Sequence, residues 1–133
     1  MNFESQAQEA VYNALTSNDD LMCLVTGIYD FVDQEKSYPY ITIGESSGLE
    51  FDTFYDVGRS VLFGVHVWSN DRGTKKAQEV LSEVYSSLNR VKLVGDDTVN
   101  FITCQFESND MFRDDGGLIW HGQHQYRILI EEI

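Results

Sequence analysis

The stretch RSVLFGVHVWSNDRGTKKAQEVLSEVYSSL, residues 59–88, changes its hydrophobic period once. From Arg59 to Ser69, Val61, Phe63, Val65 and Val67 alternate with Leu62, Gly64, His66 and Trp68, which is the two-residue period of a strand. Both sides are partly apolar, so the strand is expected in the middle of a sheet. Beyond Thr74, Ala77, Val80, Leu81, Val84 and Leu88 recur at three- and four-residue steps, leaving Lys75, Lys76, Glu79 and Glu83 largely off the stripe. That pattern predicts an amphipathic helix. The turn between them holds one glycine, Gly73, whereas a phosphate cradle needs several so that backbone N–H groups can approach an anion. The stretch reads as a joint between a strand and a helix.

Working outward, Phe3, Ala7, Ala10, Val11, Ala14 and Leu15 lie on one face of an N-terminal helix, expected to pack beside the helix after Thr74. Thr16, Ser17 and Asn18 break it and offer a cap. Asp19 and Asp20 suit the positive end of a short second helix running through Val25 and ended by Gly27. Ile28–Val32 and Tyr40–Glu45 read as strands, the second entered through Pro39, while Ser46–Val57 reads as an irregular excursion. Val99–Phe112 and Leu118–Ile130 read as two strands of an antiparallel hairpin, with RDDGG between them as its turn. The order shows no repeat and no steady βαβ alternation. It predicts α+β, a mostly antiparallel β-sheet with helices packed on one face, as a single domain over residues 1–133.

The 133 residues carry 9 basic and 22 acidic side chains, a formal charge of −13. Such a field repels polyanions, which disfavours a DNA or RNA reader. Arg72, Lys75 and Lys76 are the densest basic group and read as a solvated helix face. Nothing near the start resembles a basic export signal, and no apolar run reaches membrane-spanning length. Cys23 and Cys104 each sit among apolar residues and read as buried free thiols in a reducing compartment, with one long-range disulfide as the alternative.

The candidates for chemistry are few. His66 with Asp71 suggests acid–base work, and His66 with Ser46, Ser47 or Ser69 is the best arrangement for a small hydrolase, yet no nucleophile has a recognisable local setting. His121 and His124 are three residues apart on one strand and so point to opposite faces, where they cannot share an ion. Glu107, Asp110, Asp114 and Asp115 lack the ligand spacing and glycine of a calcium loop and read as turn and solvated edge. No catalytic residue, metal or cofactor is assigned. Phe51, Phe54 and Tyr55, interleaved with Glu50, Asp52 and Asp56, fit neither a strand nor a helix face and are the expected partner-interface residues.

The collinear set ALTSNDDLMCLVTGIYDFVDQ, YPYITIGE, GRSVLFGVHVWSNDRG, an amphipathic helix and FESNDMFRDDGGLIWHGQHQYRILIE resembles the tail-completion (tail-terminator, or tail-to-head joining) proteins of long-tailed bacteriophages and prophages. The resemblance implies a non-enzymatic structural protein. About six copies would form a ring that caps the finished tail tube and joins it to the head connector, with DNA passing through the lumen without specific binding. It implies a place in the virion tail at the head–tail junction and assembly in the host cytoplasm, and the mutual repulsion of so many like charges predicts a monomer when free. An acidic protein-binding adaptor or nucleic-acid-mimicking inhibitor is the alternative that the charge alone would suit.

Overall fold

A computed structural model describes residues 2–30, 37–50, 57–114, 116 and 118–133. Three helices, α1 (Phe3–Thr16), α2 (Asp19–Leu24) and α3 (Lys75–Leu88), accompany five strands, β1 (Ile28–Tyr29), β2 (Tyr40–Glu50), β3 (Gly58–Ser69), β4 (Val99–Asp114) and β5 (Ile119–Glu132). The strands form one sheet in the order β1-β2-β3-β5-β4. Only the β1–β2 pair is parallel; the other three are antiparallel. The α+β expectation and the central place of β3 are met.

The alternation in β3 sorts the molecule into layers. Val61, Phe63, Val65 and Val67 join Ile41 and Ile43 of β2 and Tyr126, Ile128 and Ile130 of β5 in the buried core. The helices cover that side, α1 with Phe3, Ala7, Ala10, Val11 and Leu15, and α3 with Ala77, Val80, Leu81, Val84 and Leu88. These helices touch each other as well as the sheet. Asn2 caps α1 by accepting from the Ser5 N–H at 3.0 Å. Asn18 caps α2 through the Leu21 N–H at 3.1 Å and donates to Ser87 Oγ at 2.8 Å, tying α2 to α3.

Several expectations need correction. The stretch from Ser46 does not begin an excursion: β2 continues to Glu50 after a register shift between Ile43 and Ser46. The bulge reverses side-chain parity, and Ser46, Ser47 and Gly48 supply no apolar alternation, so the strand is invisible to a hydrophobic pattern. Gly44 sits in that bulge at φ 119°, a conformation few L-residues adopt. β1 holds only Ile28 and Tyr29 of the expected strand; residues 31–36, with Phe31 and Val32, lie outside the described residues. Cys23 is exposed, not buried; only Cys104 is buried, and both are free thiols. α2 buries Leu21 alone, and two residues further on its helical turn has carried Cys23 to the outer side.

Candidate interaction face

All three helices lie on one side of the sheet, so the other side is built from the second half of the strand alternation: Tyr40 and Thr42 of β2, His66 and Trp68 of β3, His121 of β5 and Phe112 of β4. Register sets them abreast, Tyr40 opposite Trp68, Trp68 opposite His121 and Phe112 opposite His121. The rings form a band across the sheet. Tyr38 meets Tyr40 at 5.3 Å between centroids, Tyr40 stacks on Trp68 at 6.5 Å, and Trp68 stacks on His121 at 4.0 Å with only 6° between planes. Phe112 continues it at 5.7 Å from His121. Trp68 Nε1 donates to Thr42 Oγ1 at 3.1 Å, which holds the indole flat against the strand. Burial, followed by the Tyr38 phenol, raises the Tyr40 pKa.

His66 is the polar centre of the band. Its Nδ1 lies 2.6 Å from His121 Nε2 and its Nε2 lies 2.9 Å from Glu45 Oε2. One of the two facing nitrogens must be bare for the other to donate, so the contact is a single hydrogen bond whose direction depends on the tautomer. The three serines weighed as nucleophiles do not bond to His66 among the described contacts. Ser69 is buried on the helix side and accepts from the Asp71 N–H at 3.3 Å. Ser46 lines the groove beside α1, and Ser47 is paired with Leu62 on the open face without a bond to His66.

The metal reading resolves similarly. His121 and His124 do point to opposite faces, since His121 stands opposite Trp68 and His124 opposite core Val65. His124 is buried against Tyr126, Nδ1 to Oη 2.9 Å, and burial lowers its pKa to about 4. Burial likewise raises the Tyr126 phenol, and it pushes the Cys104 thiol up to about 12. Among the described residues no group of three or more His, Cys, Asp or Glu converges as metal ligands. Glu107 is paired with Arg127 at 3.3 Å, and Asp110 is exposed on edge strand β4. Asp115 lies outside the described residues, as do Phe51, Phe54 and Tyr55, the expected interface residues. The aromatic band itself escaped the sequence reading. Its only signal is the shared parity of His66 and Trp68 in β3, because the cross-strand neighbours depend on register.

A band of Tyr, Trp and His rings on a sheet face that none of the described helices covers has the composition of a protein–protein contact. Comparison with known proteins agrees with this structural rather than chemical reading. The family model described as tail completion protein gp17 matches residues 9–131. The tail completion protein gp17 of Bacillus phage SPP1 is 27% identical over 125 residues, covering 92% of this chain and 90% of that protein. A chain in the virion of a native gene transfer agent particle has the same fold, with a TM-score of 0.88, 21% identity and 96% of both chains covered. The solved structure of bacteriophage SPP1 gp17 matches with a TM-score of 0.64 and 23% identity, over 94% of this chain and 88% of that one. The family match spans nearly the whole chain, and the resemblance read from the collinear motifs is met: this chain belongs to the family of phage tail completion proteins typified by gp17.

Proposed function

We propose that this chain, a structural tail completion protein by family, works as a ring subunit that closes the finished tail tube and presents its far side to the head connector. About six copies make the ring. Each is a monomer when free, assembles in the host cytoplasm and ends at the head–tail junction, where DNA passes through the lumen without specific binding. The observation that carries this reading is the family match over residues 9–131, and the aromatic band supports it by offering rings suited to a partner surface. A net charge of −13 fits a channel along which a polyanion must slide without sticking. Phe51, Phe54 and Tyr55 are proposed as further anchors against a neighbour or the tube end.

The test is deletion followed by complementation. Tails made without the protein should be complete along their length but lack density at the head-proximal end and fail to join heads. Light scattering should find the purified protein monomeric at low salt. A stable free dimer, together with tails that carry no copies at that end, refutes the reading.

A further inference from the structure

The sheet has two edges, and among the described residues each is closed over only part of its length. On β4 the first half is sealed by the segment after α3: Cys104 O accepts from the Arg90 N–H at 2.7 Å, the Phe106 N–H donates to Asn89 Oδ1 at 2.9 Å, and Lys92 Nζ donates to Phe101 O. From Ser108 to Arg113 no backbone hydrogen bond to the outer edge occurs among the described residues. On β2 the two residues of β1 cover Ile41 and Thr42. From Glu45 to Glu50, too, no backbone hydrogen bond to the outer edge occurs among the described residues. Unpaired strand edges of this length are templates for another strand.

The two free stretches complement each other. β4 runs antiparallel to β5, β5 to β3 and β3 to β2, so β4 of a rotated copy meets β2 in the antiparallel sense. The register one residue from centred, which keeps the faces in step, places Arg113 opposite Ser46, Phe112 opposite Ser47, Met111 opposite Gly48, Asp110 opposite Leu49 and Asn109 opposite Glu50. Every pair then matches in face, helix side with helix side and open side with open side. Phe112 and Leu49, 47% and 66% exposed, become diagonal neighbours on the open side. Arg113 enters on the helix side, where Ser46 lines a groove with Glu4, Glu9 and Asp30. Glu9 and Asp30 have no cation partner among the described residues.

We infer that neighbouring copies join head to tail by pairing the Ser108–Arg113 edge of one with the Glu45–Glu50 edge of the next, Arg113 seated in the acidic groove beside α1. This rests on the ring reading above and deepens it. The contact is heterologous, and closure constrains its tilt. The free stretches lie six residues apart along β3, at the levels of Val61 and Val67, or about 20 Å. The step from one β2 to the next crosses four strand spacings, about 19 Å. Strands inclined at about 45° to the ring axis bring the stretches level, close to the inclination in closed barrels.

The experiment uses the full chain with Cys23→Ser, Glu50→Cys and Asn109→Cys, carried on phage tails. A short bis-maleimide, tolerant of a two-residue slip, should give a ladder of covalent multimers, and either single cysteine should not. In parallel, Arg113→Glu, which gives up the guanidinium contact over the Trp120 ring at 4.7 Å, should still fold cooperatively yet lose end density at least tenfold, with recovery when Glu9→Arg and Asp30→Arg are added. If microscopy shows a ring of wild-type subunits but the double-cysteine ring stays monomeric on gels, the edge pairing is wrong and the ring stands. If no ring is seen at all, both fall. Normal incorporation of a folded Arg113→Glu protein also overturns the inference.

Discussion

His124 is 6% exposed and bonded to Tyr126 within the layer between sheet and α3, and this makes acid a direct probe of the core. Burial lowers its folded pKa from 6.5 to about 4. The unfolded chain therefore binds this proton more readily throughout that interval, and stability falls as pH drops from about 6.5 toward 4. Between pH 7.5 and 4.5 the loss from this one group is about 2.5 kcal/mol, or roughly 10 °C in a chain of this size. Carboxylates titrate in the lower part of the same range, so the informative quantity is a difference of differences. His124→Gln keeps an acceptor for the Tyr126 hydroxyl but cannot charge, and its stability should fall with pH by about 2.5 kcal/mol less than that of the wild type. Urea melts at pH 7.5, 6.0, 5.0 and 4.5 measure both curves. Parallel curves for the two proteins would show that the imidazole is hydrated or already charged in the fold, and the burial argument would be refuted.

Thiol titration should find one fast-reacting group per native chain, exposed Cys23, with Cys104 reacting only on unfolding because burial pushes its pKa up to about 12; two equally fast thiols would contradict the layering. Gly44→Ala, at φ 119° in the β2 bulge, should cost about 1–2 kcal/mol in urea melts, and an unchanged midpoint would mean that the bulge is not held. Phe63→Ala, in the fully buried middle of β3, should cost about 3–5 kcal/mol, read the same way. Phe51→Ser with Phe54→Ser should melt like the wild type and leave tails unable to join heads; normal joining, or a collapse of several kcal/mol, would remove these residues from the interface proposal.

How far the fold could be read follows from what each element had to bury. β3 and α3 carry unbroken periods because both lie against the core, and they were legible to within a residue or two. The β4–β5 hairpin was legible from its two runs and the turn between them. β2 was half legible: Tyr40–Glu45 alternates over the core, but after the bulge Ser46, Ser47, Gly48 and Leu49 lie along an edge that no described strand pairs and have little to bury, so nothing in their composition marks a strand. Cys23 misled because its neighbours in sequence are apolar, while a six-residue helix needed only Leu21 to face inward. The opposite facing of His121 and His124 needed only strand parity. The stack of Trp68 on His121 needed the register of two strands separated by more than fifty residues, and no local pattern carries that.

The charge and the edges bear on one physical question, which is how a subunit with open strand edges avoids pairing before it is wanted. Among the described residues only Glu4 and Glu107 are paired with arginines and Glu45 with His66, so the excess of acid over base is left largely uncompensated at the surface. Two free copies approaching edge to edge bring Glu45 and Glu50 of one near Asp110 of the other, and at low ionic strength that repulsion extends over about 10 Å or more. Phe112 against Leu49 acts only at contact, and the single cation of Arg113 is outweighed at a distance by the net charge of −13 on each copy. A binary encounter therefore meets the long-range cost before the short-range gain. In the proposed ring, a subunit held at the end of a tube would have its translational freedom removed, and the same contact would then form at high effective concentration. Acidity and exposed edges in this sense are one device: edges that are complementary, but silent until a template supplies the proximity.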